Sequence, residues 1–89
     1  MIYEHLDGDT YVYAPLGRHV VRGVGICGGR PTFKYTRIEV AGALDRLAAG
    51  ESFDALIAGY GGRVSREALL EAIDIAARHL VANLPELVG

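Results

Sequence analysis

The hydrophobic period of this chain changes at Ile38, and this change limits the folds that the chain can adopt. Before it, two segments rich in β-branched and aromatic residues, "TYVYA" (10–14) and "HVVRGV" (19–24), flank the turn-forming "PLGR" (15–18). This pattern predicts a β-hairpin. The alternating sequence "PTFKYTRI" (31–38) predicts a third extended segment, because its proline stands at the first position, where a missing N–H group costs least.

After Ile38 the apolar residues recur with the period of an α-helix, and three helices are predicted. Gly50 stands where a glycine ends a helix, and Ser52 and Ser65 are suitable N-caps for the second and third helices. Pro85 ends the third helix. The predicted buried faces of the three helices are, in order, Val40, Leu44, Leu47 and Ala48; Phe53, Leu56, Ile57 and Tyr60; and Leu69, Ile73, Ala76, Ala77 and Leu80.

We therefore expect one α+β domain over residues 1–89, with an N-terminal β-hairpin and strand arm followed by a trihelical core of the helix-turn-helix type. The β-rich basic arm covers residues 1–37, the three-helix core covers residues 38–83 and a tail covers residues 84–89. A chain this short buries a modest core, which favours a homodimer. One cysteine, no apolar run long enough for a bilayer and no signal-peptide pattern lead us to expect a cytoplasmic protein without membrane contact.

The charges of the chain are unevenly distributed. Residues 1–9 carry three acids, residues 10–38 carry five cations and no acid, and residues 39–89 carry four arginines and eight acids. A basic zone on an acidic body indicates a polyanion or an acidic partner surface, and a set of solvated strand side chains is the alternative. The five cations are Arg18, Arg22, Arg30, Lys34 and Arg37.

The start of the third helix carries groups that suit contacts with phosphates or base edges. They are Arg63, Ser65 and Arg66. Three acids follow on the side of this helix that is expected to be exposed, and they would repel phosphates. They are Glu67, Glu71 and Asp74. The third helix alone is therefore a poor DNA reader, and the basic strands are expected to contribute if DNA is bound.

Enzymatic functions have little support in the sequence. The histidines are scattered, and none stands at metal-ligand spacing from another ligand. Cys27 has no histidine partner nearby, and "GVGICGG" (23–29) lacks the spacing of a dinucleotide-binding loop. We expect a protein that is not an enzyme, without catalytic residues, metal or cofactor.

Three stretches of the sequence resemble one family of small prokaryotic proteins. They are "GGRPTFKYTRIEV" (28–40), "LAAGESFDALIAGY" (47–60) and "SREALLEAIDIAA" (65–77). Together they resemble the domain-of-unknown-function 433 family, which is similar to VapB-type antitoxins. The resemblance covers about residues 25–80. The matching positions are Gly28, Gly29, Arg30, Pro31, Phe33, Lys34, Thr36, Arg37, Ile38, Val40, Gly50, Ser52, Tyr60 and Ala72.

Two departures from the family pattern are visible. Tyr35 stands where the family usually has glycine, which we take to indicate a backbone without positive φ at that position. The segment "GGRV" (61–64) stands where a proline and a leucine are common.

The resemblance implies a homeodomain-like helical core with a β-structured arm. It also implies a gene pair with a PIN-like ribonuclease toxin and autoregulatory binding to double-stranded DNA. Because toxin-neutralising segments of antitoxins are commonly C-terminal, it makes the apolar tail a candidate partner-binding segment. Its residues are Leu84, Leu87 and Val88.

The candidate DNA-binding residues are Arg30, Lys34, Thr36, Arg37, Arg63, Ser65 and Arg66. Lys34 alternates with core positions and is expected to face solvent. Arg37 has two interpretations, an outward phosphate contact or an inward clamp on a carboxylate of the second helix. Thr36 either caps the first helix or bonds a neighbouring strand. The sequence thus predicts an antitoxin-like DNA-binding protein, and a protein–protein adaptor or structural homodimer without DNA binding is the alternative.

Overall fold

The sheet precedes the helices along the chain, as the change of period at Ile38 predicts. The computed structural model describes residues 1–87, which form a four-stranded antiparallel sheet in the order β1-β2-β3-β4 followed by three helices. The strands are β1 Ile2–Leu6, β2 Asp9–Pro15, β3 Val20–Gly23 and β4 Pro31–Phe33. The helices are α1 Val40–Ala48, α2 Phe53–Gly59 and α3 Arg66–Ala82. The α+β class is confirmed.

The hairpin predicted around "PLGR" is present. In it β2 pairs with β3 in a register that sets Tyr13 opposite Gly23 and Ala14 opposite Arg22. A second hairpin joins β1 to β2 through Asp7 and Gly8, both with positive φ, which is the geometry of a tight two-residue turn. The sequence analysis did not predict β1, because this strand buries no side chain fully and so shows no buried face.

The third extended segment is shorter than predicted. β4 ends at Phe33 instead of continuing to Ile38, because the N–H group of Thr36 turns back to the carbonyl of Phe33 at 3.0 Å. Tyr35 in this turn has a φ of 65°, so the prediction of a backbone without positive φ there is wrong. The hydroxyl of Thr36 donates to the Phe33 carbonyl at 2.8 Å and accepts from the N–H of Ile38 at 3.0 Å. Thr36 therefore stabilises the turn, whereas the N-cap of α1 is Glu39.

The predicted helix ends are confirmed. The hydroxyl of Ser52 accepts from the N–H of Ala55 at 3.0 Å, and that of Ser65 accepts from the N–H of Ala68 at 3.1 Å, so each satisfies an N–H group of the first turn. Gly50 has a φ of 97° immediately after α1, a conformation that favours glycine.

The two faces of the sheet bury two apolar clusters. Val20 and Phe33 point to the helices and join the main core, whereas the neighbouring Val21 points the opposite way into a smaller cluster with Tyr11 and Tyr13. This division follows from the alternation of side chains along a strand. The buried members of the main core are Val20, Phe33, Val40, Ala43, Leu56, Val64, Ala68, Leu69 and Ala72.

α3 buries a different face from the predicted one. Ala68, Leu69 and Ala72 are buried, whereas Ile73 and Leu80 are 39% and 67% exposed. Ala76 and Ala77 are also exposed. The sequence of α3 carries apolar residues on two sides, and the prediction assigned most of the core to the wrong side. The C-terminal half of α3 therefore extends beyond the core of its own chain. None of the helices within residues 1–87 is both long and apolar enough to span a membrane.

Glu71 joins α3 to the β2–β3 hairpin, although the sequence analysis placed it among exposed acids. Its carboxylate accepts hydrogen bonds from the backbone N–H groups of Arg18, His19 and Val20 at 2.9, 2.7 and 3.1 Å. Bonds to a charged acceptor are stronger than neutral ones, at about 1.5–3 kcal/mol each. A Cβ atom at Gly17 would stand 2.6 Å from the Glu71 carboxylate, so glycine permits this close approach.

Candidate functional site

Two adjoining clefts bring together most of the predicted DNA-binding residues. The first, of about 370 Å³, is lined by Arg18 from the β2–β3 hairpin, Lys34 from the turn after β4, and Arg63 and Ser65 from the start of α3. These groups meet because the Glu71 hydrogen bonds hold the hairpin against α3.

The second cleft continues this surface toward the other hairpin. It has a volume of about 660 Å³ and is lined by Thr36 and Arg37, together with Asp9 from β2. Tyr35 and Arg63 line both clefts, so the two are continuous. We call Arg18, Lys34, Arg37 and Arg63 the basic surface.

Three members of the basic surface have no acidic partner within residues 1–87. Arg18, Arg37 and Arg63 are exposed and form no ion pair in that part of the chain. Arg63 donates only to the carbonyl of Tyr60, at 3.3 Å. Arg37 is exposed, as its outward interpretation requires. These three guanidinium groups form no ion pair with a carboxylate of the described residues, although Asp9 lines the second cleft together with Arg37 and Arg63.

Two other predicted DNA-binding residues lie apart from this surface and form local pairs. Arg30 donates to Glu39 at 2.6 Å, and this hydrogen bond lowers the pKa of the Glu39 carboxyl. Arg66 pairs with Asp54 at 3.0 Å, and its guanidinium lies 5.2 Å from the centre of the Phe53 ring. Both arginines therefore stabilise turns and helix contacts. Neither Arg30 nor Arg66 lines the two clefts.

The hydroxyl groups among the candidates are already engaged. Thr36 bonds within its turn, and Ser65 caps α3. Lys34 was predicted to face solvent freely, but its ammonium lies 3.9 Å from the Glu4 carboxylate and about 5 Å from the ring centres of Tyr13 and Tyr35. Lys34 therefore joins strands as well as contributing positive charge.

A cluster around Glu4 was not found from the sequence. The hydroxyls of Tyr13 and Tyr35 both donate to the Glu4 carboxylate, the second at 2.7 Å. The Tyr35 N–H group donates to the Tyr11 hydroxyl at 3.2 Å, and the rings of these two residues lie 5.5 Å apart. The cluster fixes the turn that carries Lys34 and Arg37. Its only sequence signal is the alternation of Tyr11 and Tyr13 on one face of β2.

Hydrogen bonds set the protonation of this cluster. The Tyr13 hydroxyl, then that of Tyr35, and the nearby ammonium of Lys34 lower the pKa of Glu4 from its ordinary value of 4.5. The Glu4 carboxylate in turn raises the pKa of Tyr13, because a phenolate beside a carboxylate is disfavoured. Both shifts favour an ionised Glu4 carboxylate beside a neutral Tyr13 phenol near neutral pH.

The predicted partner-binding segment lies at the end of the described chain. Leu84 and Leu87 are 64% and 98% exposed, and Val88 lies outside the described residues. Within residues 1–87, no group of three His, Cys, Asp or Glu side chains is placed to hold a metal ion. Cys27, which is half-buried, donates to the carbonyl of Arg37 at 3.4 Å.

The fold and its clefts define a small α+β protein in which a basic surface lies between a sheet and a three-helix core. The family model described as "Protein of unknown function (DUF433)" matches residues 20–76, from β3 into α3. This match spans more than half of the chain, and the chain belongs to the DUF433 family. The resemblance inferred from the sequence is confirmed. Comparisons with curated proteins and with solved structures find no match.

The Glu4 cluster predicts a specific loss of stability in acid. Because folding lowers the pKa of Glu4, its contribution is complete above about pH 5.5 and is lost as the pH falls through 4.5 toward the folded pKa. The difference in unfolding free energy between wild type and Glu4→Gln should therefore be constant near neutral pH and shrink below about pH 4.5. Urea unfolding followed by circular dichroism across this range measures it.

Glu86→Gln is the matched control, because Glu86 lies in the tail outside every helix and strand. It should track wild type across the same pH range. If the difference in unfolding free energy between wild type and Glu4→Gln stays the same from neutral pH to pH 3, the two tyrosine hydrogen bonds do not depend on the ionised carboxylate.

Proposed function

We propose that this protein is an antitoxin-like DNA-binding protein that acts in the cytoplasm, has no catalytic activity and regulates its own operon. Its basic surface contacts the phosphates of duplex DNA. The observation that carries the proposal is the convergence of Arg18, Arg37 and Arg63, exposed and without acidic partners in residues 1–87, on two continuous clefts. Phosphate contacts of this kind supply most of the affinity of non-specific DNA binding.

The basic surface, and not the exposed side of α3, is the element that meets DNA in this proposal. Glu67 and Asp74 are exposed on α3 beside the apolar Leu70 and Ile73. A helix face with this composition repels phosphates and lacks the donors that read base edges. The proposed phosphate contacts come instead from Arg63, immediately before α3, and Arg18, in the hairpin turn, which line the same cleft.

Salt titration of DNA binding tests the proposal. Wild-type affinity for a duplex from upstream of its own gene should fall linearly in a plot of log affinity against log salt. Arg63→Ala and Arg37→Ala should each reduce the slope by about 0.9 and weaken binding similarly on unrelated sequences, because each removes one phosphate contact. Fluorescence anisotropy with labelled duplexes measures both quantities.

Arg46→Ala is the matched control, because Arg46 pairs with Glu51 and lies outside both clefts. It should leave affinity and slope unchanged. The melting temperatures of all variants must be measured in parallel, since a lower melting temperature for Arg37→Ala would identify a fold clamp instead of a contact. No salt-dependent binding by wild type at about 50 mM salt would reject DNA binding.

The proposed biological partner is a PIN-like ribonuclease toxin, bound through the tail. The support is the exposure of Leu84 and Leu87, apolar side chains that follow α3 and are not covered by the chain's own core. Exposed apolar segments of this kind commonly mark interaction sites.

Truncation after Asn83 should abolish co-purification with the product of a neighbouring ribonuclease-like gene, because it removes these side chains. Helical circular dichroism should remain nearly unchanged, since α3 ends at Ala82. Leu6→Ser, at an exposed apolar position of β1, serves as the control and should retain the partner. Unfolding of the truncated protein would assign the tail to its own core, and an intact complex would remove the tail from the interface.

A protein–protein adaptor or structural homodimer without DNA binding is the second candidate. The exposed apolar side chains along α3 favour it. Wild-type protein that binds a protein partner or itself, but no duplex DNA at low salt, would establish this candidate in place of the first.

A further inference from the structure

An unpartnered stripe of apolar residues runs the length of α3 with the spacing of a coiled-coil seam. The intervals between successive members alternate between three and four residues, which is the heptad pattern of a and d positions. We call this set the α3 seam, and it comprises Leu70, Ile73, Ala77 and Leu80.

The α3 seam is distinct from the face that α3 packs against its own core. The buried face consists of Ala68, Leu69 and Ala72, whose mean direction is about a third of a turn away around the helix axis. Leu70 is 51% exposed, Leu80 is 67% exposed, and Val81 beside the seam is 70% exposed. The heptad spacing therefore serves no packing within one chain.

The seam is complementary to itself when two copies of α3 run antiparallel. A two-fold axis at the level of Ile75 sets Leu70 of one copy opposite Leu80 of the other, and Ile73 opposite Ala77. Every large side chain then meets an apolar residue, and all four layers lie within the helical residues Arg66–Ala82. Such an isologous contact closes at two subunits.

One pair of like charges lies beside the seam. In this register the Asp74 side chains of the two copies lie on the same flank near the two-fold axis, and each is compensated by Arg78 of its own chain, with which it forms an ion pair. Antiparallel pairing also places the positive N-terminal end of each helix macrodipole beside the negative C-terminal end of its partner. A parallel pair would place like ends together.

The available area corresponds to a small interface. Leu70, Ile73, Leu80 and Val81 together expose the equivalent of about two aliphatic side chains, or roughly 200 Å² of apolar surface per copy at about 100 Å² each. Since homodimer interfaces are about 65% apolar, this corresponds to roughly 600–700 Å² in total, below the limit of about 1,000 Å² for a stable interface and within the range of weak, reversible contacts.

We propose that the α3 seam is the docking surface for a second copy of this chain, which binds as a two-fold antiparallel helix pair with Leu70 of each protomer against Leu80 of the other. This contact is independent of DNA binding. It lies on α3 away from the basic surface, so the dimer presents two basic surfaces to a ligand.

Sedimentation equilibrium of the full chain tests the surface. Wild type should form reversible dimers at several hundred micromolar, and Leu80→Glu should weaken dimerisation by at least tenfold, because it sets a carboxylate against Leu70 of the partner. Leu80 is exposed in one chain, so helical circular dichroism should be unchanged. Val24→Glu is the matched control, since Val24 is 58% exposed but lies far along the chain from α3, and it should dimerise like wild type.

Disulfide trapping tests the orientation, in a Cys27→Ser background. The double variant Leu70→Cys/Leu80→Cys should form a covalent dimer, whereas neither single variant should, because identical positions then lie about 15 Å apart along the paired helices. Rapid cross-linking of both single variants would establish a parallel pair and overturn the arrangement. A wild-type monomer at several hundred micromolar, or undiminished dimerisation of Leu80→Glu, would overturn the proposal entirely.

Discussion

The carboxylate of Glu71 is the contact on which the arrangement of sheet and helices depends. The backbone N–H groups of Arg18, His19 and Val20, at the turn of the β2–β3 hairpin, all donate to this one carboxylate of α3. Gly17 leaves the space in which the carboxylate fits. Since an N–H group that loses its partner costs free energy where it is shielded from water, this single acceptor stabilises the position of the hairpin on α3.

Both proposed surfaces follow from this contact. With the hairpin held on α3, Arg18 meets Arg63, and the Glu4 cluster on the far side of the sheet fixes the turn that carries Arg37. The first turns of α3 pack against the sheet and core of the same chain, whereas the remaining face of this helix is exposed. The clefts beside the sheet collect four cations together with Asp9, whereas the exposed side of α3 is apolar with acidic neighbours. The proposed DNA contact and the proposed protein contact thus lie on different surfaces of one small domain.

Local signals in the sequence predicted much of the fold, and contacts between distant segments account for the rest. The β2–β3 hairpin and the caps at Ser52 and Ser65 follow from turn chemistry and hydroxyl groups that act within a few residues. β1 was missed because neither of its faces is buried. Apolar residues on two sides of α3 left its core face ambiguous, and the role of Glu71 depends on backbone donors that no side-chain pattern reveals. The basic surface was predicted in part, since Lys34, Arg37 and Arg63 came together, whereas Arg30 and Arg66 lie apart in ion pairs.

Amide hydrogen exchange at Arg18, His19 and Val20 tests the role of Glu71 most directly. These three amides lie in or beside a surface bend, where fast exchange would be the ordinary expectation. The account predicts instead that they exchange within about tenfold of the rates of the buried amides of α3, because the hairpin turn and α3 open together. In Glu71→Ala they should exchange at the rate of an open loop, whereas Glu67→Ala, one turn away on the same helix, should leave them protected. Fast exchange of all three amides in the wild-type protein would contradict the account.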